Sequence, residues 1–257
     1  MDFQYRQLDH GFQPLDGVLL VFFCILITVI FFIAKPHCTT DKIMAWIIMC
    51  LSSTTLSVFG CIFTMDACSK MGLEWNGDYL YGGDEFISRV VTLFFTASNI
   101  MDLVLGFTYY ATYMDPLSTT THHICYIILV YVLLDYHFCR GFMTCFFMEI
   151  PTCLLAVGTV FPGMRSDALF GVLFLISRIL FNMFLSYRLY VIYYAENERG
   201  GYIKDISVLI LGLHLYWFSK WIGNYGKKAA QAVKEKAAEI KSRRNNKSPN
   251  SSVEKTT

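Results

Sequence analysis

The sequence predicts an all-α, polytopic membrane protein with about seven transmembrane helices. Three observations carry that prediction. Of 257 residues, 55% are hydrophobic and only 16% charged, where a soluble domain carries about 25% charged residues. The apolar residues are gathered in long runs between positions 15 and 222, and the C-terminal stretch beyond them is almost entirely polar. Finally, the runs have the length of about 20 residues that a helix needs to cross the hydrocarbon core.

Taken in order, the first span is Leu15 to Ala34, stopped by Lys35-Pro36. With no basic region before it and no small-residue cleavage site after it, it reads as a helix and not as a signal peptide. The second runs from Ile43 to Met65, followed by a polar loop, Asp66 to Glu85, broken by Gly72, Gly77 and Gly82-Gly83. The third is Phe86 to Tyr110. The fourth, His122 to Phe138, is the shortest, and only Cys139-Arg140-Gly141 separates it from the fifth, Phe142 to Phe161, which predicts a tight antiparallel hairpin. The sixth is Ala168 to Tyr194 and the seventh Tyr202 to Ile222.

Basic residues near the spans set orientation. Lys220, Lys227, Lys228, Lys234, Lys236, Lys241, Arg243 and Arg244 place the C-terminus in the cytoplasm, and seven spans then put residues 1–14 on the lumenal or outer side. Lys35, Lys42 and Arg165 agree with this orientation; Lys70, Arg140 and Arg199 oppose it. The sequons at Asn246 and Asn250 would stay unused in a cytoplasmic tail. Alanines and lysines recur at helical spacing in that tail. It reads either as a solvated helix fraying at its end or as a contact for anionic lipid headgroups. The nine cysteines have irregular spacing and no C-x-x-C pair, so they read as packing residues, with no metal site indicated.

The informative residues are ionisable groups inside apolar spans, each costing at least about 2.5 kcal/mol at mid-membrane. They are Asp102 in the third span, Glu149 in the fifth, Arg178 in the sixth and His214 in the seventh, with His122 and His123 opening the fourth. At 1.5 Å per residue, Asp102, Arg178 and His214 lie roughly 12 to 14 Å from the cytoplasmic ends, and Glu149 roughly 18 Å. If these faces converge, they enclose one polar chamber opening toward the histidine pair. The bland reading is internal ion pairs, such as Arg178 with Asp102 or Glu149, that fix helix packing.

Other classes fit less well. His123 and His137 are spaced to stack two haems, but only His214 offers a second ligand at depth. Six histidines without H-x-x-H boxes exclude a di-iron hydroxylase. The third span ends in Thr108-Tyr-Tyr-Ala-Thr, without a receptor's acidic-Arg-Tyr element, and no buried lysine suits a retinal Schiff base. No repeat relates the halves as in transporters.

The stretch Asn99-Ile-Met-Asp102, followed by Thr119-Thr-Thr-His122-His123-Ile-Cys-Tyr126, resembles the core of the TLC-domain family, which includes the ceramide synthases. Glu149-Ile-Pro-Thr152, Ser177-Arg178-Ile-Leu and the basic tail agree with it. The resemblance covers about residues 40–225 and sets residues 15–39 apart as a first helix and 226–257 as a tail. It implies six helices forming a barrel around a lipid cavity, in the endoplasmic reticulum. It also implies a choice between two activities. One is binding or regulating membrane lipids in lipid homeostasis, with Glu149, Arg178 and His214 lining the cavity. The other is acyl transfer of ceramide-synthase type, with acyl-CoA as substrate and His122, His123 and Asp102 as catalytic residues. The second is chemically reasonable, since a neutral imidazole oriented by a carboxylate can act as general base or nucleophile. However, the extended synthase signature is absent: Met148-Glu149 stands where His-Asp would fall, and Thr152 stands near the second Asp. The chain thus resembles the shorter members of the family. No resident cofactor and no nucleic-acid partner are implied; membrane lipids are the expected partners.

Overall fold

The structure, a computed structural model, describes residues 11–81, 86–195 and 201–246. Among these, all regular structure is helical, with no strand. Helix α1 spans Pro14–Ala34. Pro14 occupies a first-turn position where its missing N–H costs nothing, and the Asp16 carboxylate accepts from the Gln13 N–H at 2.7 Å. A short 3₁₀ turn, Lys35–His37, follows. Helix α2, Asp41–Met71, is capped by the Thr40 hydroxyl, which accepts from the Ile43 N–H at 3.2 Å. It runs past the expected end at Met65 and stops at Gly72, whose positive φ of +59° glycine adopts without a Cβ clash. A single turn, α3 (Gly77–Leu80), precedes α4, Phe86–Tyr109.

The fourth expected span is shorter than its sequence pattern. A π-helical turn, Pro116–Thr121, leads into α5, His122–Asp135, which stops three residues before Phe138. His137 takes a positive φ of 54° and the Phe138 N–H reaches back to the Leu133 carbonyl at 2.9 Å, a Schellman-type ending. The hairpin turn therefore lies at Tyr136–Phe138, and Cys139-Arg140-Gly141 forms the first turn of α6 (Cys139–Cys145). Gly141 is needed for close approach and not for a turn, because a Cβ there would lie 2.4 Å from the Phe138 ring. A 3₁₀ segment, Phe146–Glu149, joins α6 to α7, Ile150–Val160. Helix α8 (Asp167–Phe174) continues through a π-helical turn, Leu175–Leu180, into α9 (Phe181–Ala195). Helix α10 runs unbroken from Gly201 to Asn246.

Six helical stretches among the described residues are long and apolar enough to cross a membrane: Pro14–His37, Asp41–Met71, Phe86–Tyr109, Cys139–Val160, Asp167–Ala195 and Gly201–Arg243. The seventh, Thr119–Asp135, is apolar but shorter. At 1.5 Å per residue it extends only about 25 Å against a core of about 30 Å. The expectations for residues 1–10, Gly82, Gly83, Glu85, Arg199 and Asn250 fall outside the described residues, as do those for the side chains of Arg244 and Asn246.

Residues 1–214 form one compact unit. Within it α4 packs against α1, α2, α5 and α6, and α2 packs against α6 and α7. The buried face of α4 carries polar groups among its apolar ones. Buried Thr92, Thr96, Ser98 and Asn99 each return a hydrogen bond of 2.8–2.9 Å to the carbonyl four residues back. Such back-bonding removes the desolvation cost of a lone polar group in an apolar interior. Gly60 lets α2 meet the 3₁₀ segment backbone to backbone, since a Cβ there would sit 2.2 Å from the Phe147 nitrogen. At the opposite end of α4 from Tyr109, buried Trp75 is held by Arg188, which donates to its carbonyl at 2.9 and 2.6 Å. Residues 215–257 form the second unit. Its described part is the remainder of α10, where Phe218, Trp221 and Tyr225 stack and the lysines from Lys227 to Lys241 are exposed.

Candidate functional site: an intramembrane polar chamber

The cost of isolated charge in a membrane dictates where polar side chains go, and the six sequence-derived candidates are drawn into one region. Asp102, about two turns before the end of α4, is buried, as is His123 in the first turn of α5. The Asp102 Oδ2 lies 3.4 Å from His123 Nδ1. The two are close but not aligned, and His123 Nδ1 is buried without a hydrogen-bond partner among the described residues. The other carboxylate oxygen, Oδ1, accepts from the Tyr110 hydroxyl at 2.6 Å. His122 is half-buried, with its ring edge-on to Tyr126 at 4.5 Å and 5.8 Å from the His123 ring.

A second cluster forms around Arg178. It sits in the π-helical turn, where the Phe181 N–H reaches back five residues to the Ile176 carbonyl. Such turns recur at functional positions. Its guanidinium donates to the Met148 carbonyl at 2.8 Å, to Thr152 Oγ1 at 2.6 Å and to Glu149 Oε1 at 3.3 Å, and lies over the Phe174 ring. Of the two ion pairs weighed from sequence, Arg178 makes the one with Glu149. His214 is buried with Nδ1 3.1 Å from the Arg178 carbonyl and 3.3 Å from Asn182 Nδ2. The carbonyl contact favours the tautomer in which Nδ1 carries the proton. The two clusters are electrostatically in reach of each other, His122 with Arg178 and His214, and His123 with Glu149.

Two neighbouring cavities border this region. The smaller is the more polar of the two: Ser52, Ser98, Asn99, Asp102, His122, His123 and Glu149 face it, beside Ile48, Met49 and Leu56. The larger is lined mostly by apolar side chains of α5, α6, α9 and α10, among them Leu129, Leu133, Leu189 and Ile206, with Asn182, Ser207 and His214 as polar exceptions. Phe95, Tyr126 and Glu149 border both. Six helices, α2, α4, α5, α6, α9 and α10, contribute to the walls. Among the described residues, no group of three or more His, Cys, Asp or Glu side chains is placed to hold a metal ion.

Two polar participants, Tyr110 and Asn182, were not identified from the sequence. Tyr110 lies at the end of a span, where polar groups are cheap and unremarkable, and folds back to Asp102. Asn182 lies inside the sixth span and carried a readable signal, a polar amide at depth. The buried ion pair of Asp16 in α1 with Arg89 in α4 also escaped notice, for the same reason as Tyr110.

The long apolar helices, gathered around neighbouring cavities that carry buried polar groups, define a multi-pass helical membrane protein. A family model described as TLC domain matches residues 42–222, so the chain belongs to the TLC-domain family. No curated protein and no solved structure matches it. Helix α1 lies outside the matched segment.

Proposed function

We propose that the chain acts in lipid homeostasis by holding a membrane lipid, with the headgroup in the polar chamber and an acyl chain along the apolar cavity. The adjacency of the two cavities, which share Phe95, Tyr126 and Glu149 in their walls, carries this reading. An amphipathic ligand requires a dry apolar slot beside convergent polar groups. The endoplasmic reticulum is the membrane that the family resemblance favours, with the basic end of α10 in the cytoplasm, against anionic headgroups.

One observation favours a second reading, acyl transfer from acyl-CoA in the manner of the sphingolipid-forming members. His123 Nδ1 is buried beside a carboxylate with no hydrogen bond made. A histidine so placed can take the proton of an attacking amine, or attack the thioester and expel the CoA thiol. Arg178, Glu149 and His214 then serve as walls and anchors and take no part in the chemistry.

Intact-mass spectrometry separates the two. The protein is purified in mild detergent and incubated with and without acyl-CoA, alongside the His122→Gln/His123→Gln double variant. Release of non-covalent lipid, equal from both forms, supports the holder. An acyl adduct on the wild type that is absent from the variant establishes the enzyme. No lipid from either form, in folded protein, defeats the first reading.

A further inference from the structure

The polar chamber is controlled from outside the family domain. We propose that α1 sets the geometry of Asp102 and His123 through Tyr110, with Phe31 as the contact that transmits it. The proposal rests on the reading of the chamber as a ligand site.

Tyr110 follows the last turn of α4 and is only 3% exposed. Its ring packs against α1. Phe31 of α1, with 0% exposure, lies 6.2 Å from it centroid to centroid. Buried Met114 packs on Gly106, one turn back along α4, where a Cβ would fall 2.3 Å from the sulfur. The neighbouring Tyr109 is fixed to α1 as well, by Phe31 and Phe32, and to the turn after it by Lys35, whose ammonium lies 3.8 Å from the ring centre. At the other end of α1, Asp16 and Arg89 form a buried ion pair, with Arg89 also donating to the Gly11 carbonyl at 2.8 Å. Helix α1 is thus pinned to α4 at both ends, and one of the pins bears on the residue that bonds Asp102.

The consequence lies in the carboxylate. The short bond from Tyr110 fixes Oδ1, and the planar group then presents Oδ2 to His123 Nδ1 at 3.4 Å without alignment. Tyr110 keeps His123 from closing onto Asp102, so the imidazole nitrogen stays available to a ligand. Tyr110 is a positioning residue acting through Asp102, and Phe31 acts through Tyr110. Movement of α1 away from α4 would release the tyrosine, let the carboxylate rotate and occupy the histidine.

The test uses the full chain in lipid nanodiscs with ¹⁵N-labelled histidine, the His123 signal being assigned by its loss in His123→Gln. Tyr110→Phe removes the hydroxyl and keeps the ring against Phe31. The proposal expects the Nδ1 signal of His123 to move to a hydrogen-bonded position in Tyr110→Phe, to move in the same direction in Phe31→Ala, and to return in Phe31→Tyr. An unmoved signal in Tyr110→Phe at unchanged helix content and melting temperature overturns it. A signal that moves in Tyr110→Phe but not in folded Phe31→Ala overturns the role of α1. Should Phe31→Ala not fold, Phe31→Leu, which trims the ring and keeps an apolar side chain, decides the same point. Lipid released from the wild-type sample is measured in parallel: its absence counts against the proposed function and leaves the tyrosine result standing.

Discussion

Helices α1 and α4 lie side by side and are opposites in chemistry. The most apolar window of α1 is 11% buried inside the protein, whereas that of the less apolar α4 is 67% buried. In a soluble protein the greasier helix would occupy the core. Here it faces outward, with Val18, Val21, Phe22, Ile25 and Val29 exposed, and the helix carrying Ser88, Thr92, Thr96, Asn99 and Asp102 is enclosed. Lipid tails are as apolar as leucine, so burial of apolar side chains gives no net drive for helix association in a bilayer. What selects the inner helix is the need to shield polar groups. The polar faces define the centre of this protein, and apolarity marks its periphery.

The largest expected effect comes from breaking the buried ion pair that ties α1 to α4. Asp16→Leu leaves the Arg89 guanidinium buried without its carboxylate. Removing one partner of a buried pair costs about 3–5 kcal/mol. Thermal unfolding in detergent should show a large fall in melting temperature. The double variant Asp16→Leu/Arg89→Met should recover much of it, since an apolar replacement of both partners is often close to neutral. Failure of the double variant to recover would mean that the pair does more than neutralise itself.

Gly60 tests the inner surface without charge. Gly60→Ala places a methyl group against the backbone at Phe146–Phe147, which cannot rotate out of the way. Overpacking of this kind costs about 1–3 kcal/mol, and here it also pushes away the segment carrying Glu149. The expected outcome is a lower melting temperature together with weaker lipid retention. An Ala variant as stable as the wild type would show that the 3₁₀ segment can shift freely relative to α2.

How far this arrangement was legible in the sequence depends on where a residue stands in its span. Asp102, Glu149, Arg178 and His214 stood out because they interrupt apolar runs at depth, where charge needs a partner, and they share one region. Tyr110, Asp16 and Arg89 sit at span ends. There, polar residues ordinarily meet water, so only the packing of α1 against α4 shows them to be buried. The helix ends divide similarly. Thr40 before α2 is a readable cap, but the continuation to Met71 is not, because Asp66 and Lys70 look like loop residues until they pair at 2.9 Å along the helix. The early end of α5 was hidden for another reason: His137 takes a left-handed conformation that favours glycine, and nothing about a histidine announces it.

The smallest effect is expected on the outer face of α1, and it sharpens the comparison most. Val21 is 59% exposed and Ile25 likewise 59%. Exchanging them for Leu leaves an apolar surface against lipid, creates no cavity and leaves no polar group unpaired. Surface substitutions of this kind stay within about 0.5 kcal/mol. Val21→Leu and Ile25→Leu should therefore match the wild type in melting temperature and in lipid retention. The same class of change one helix inward, Thr96→Leu on α4, adds bulk to a buried position and removes a hydroxyl already bonded at 2.9 Å to the Thr92 carbonyl. A measurable loss from either α1 variant, comparable to that of Thr96→Leu, would mean that this face of α1 is covered by protein, and a cross-linker placed at Val21 would then identify the neighbour.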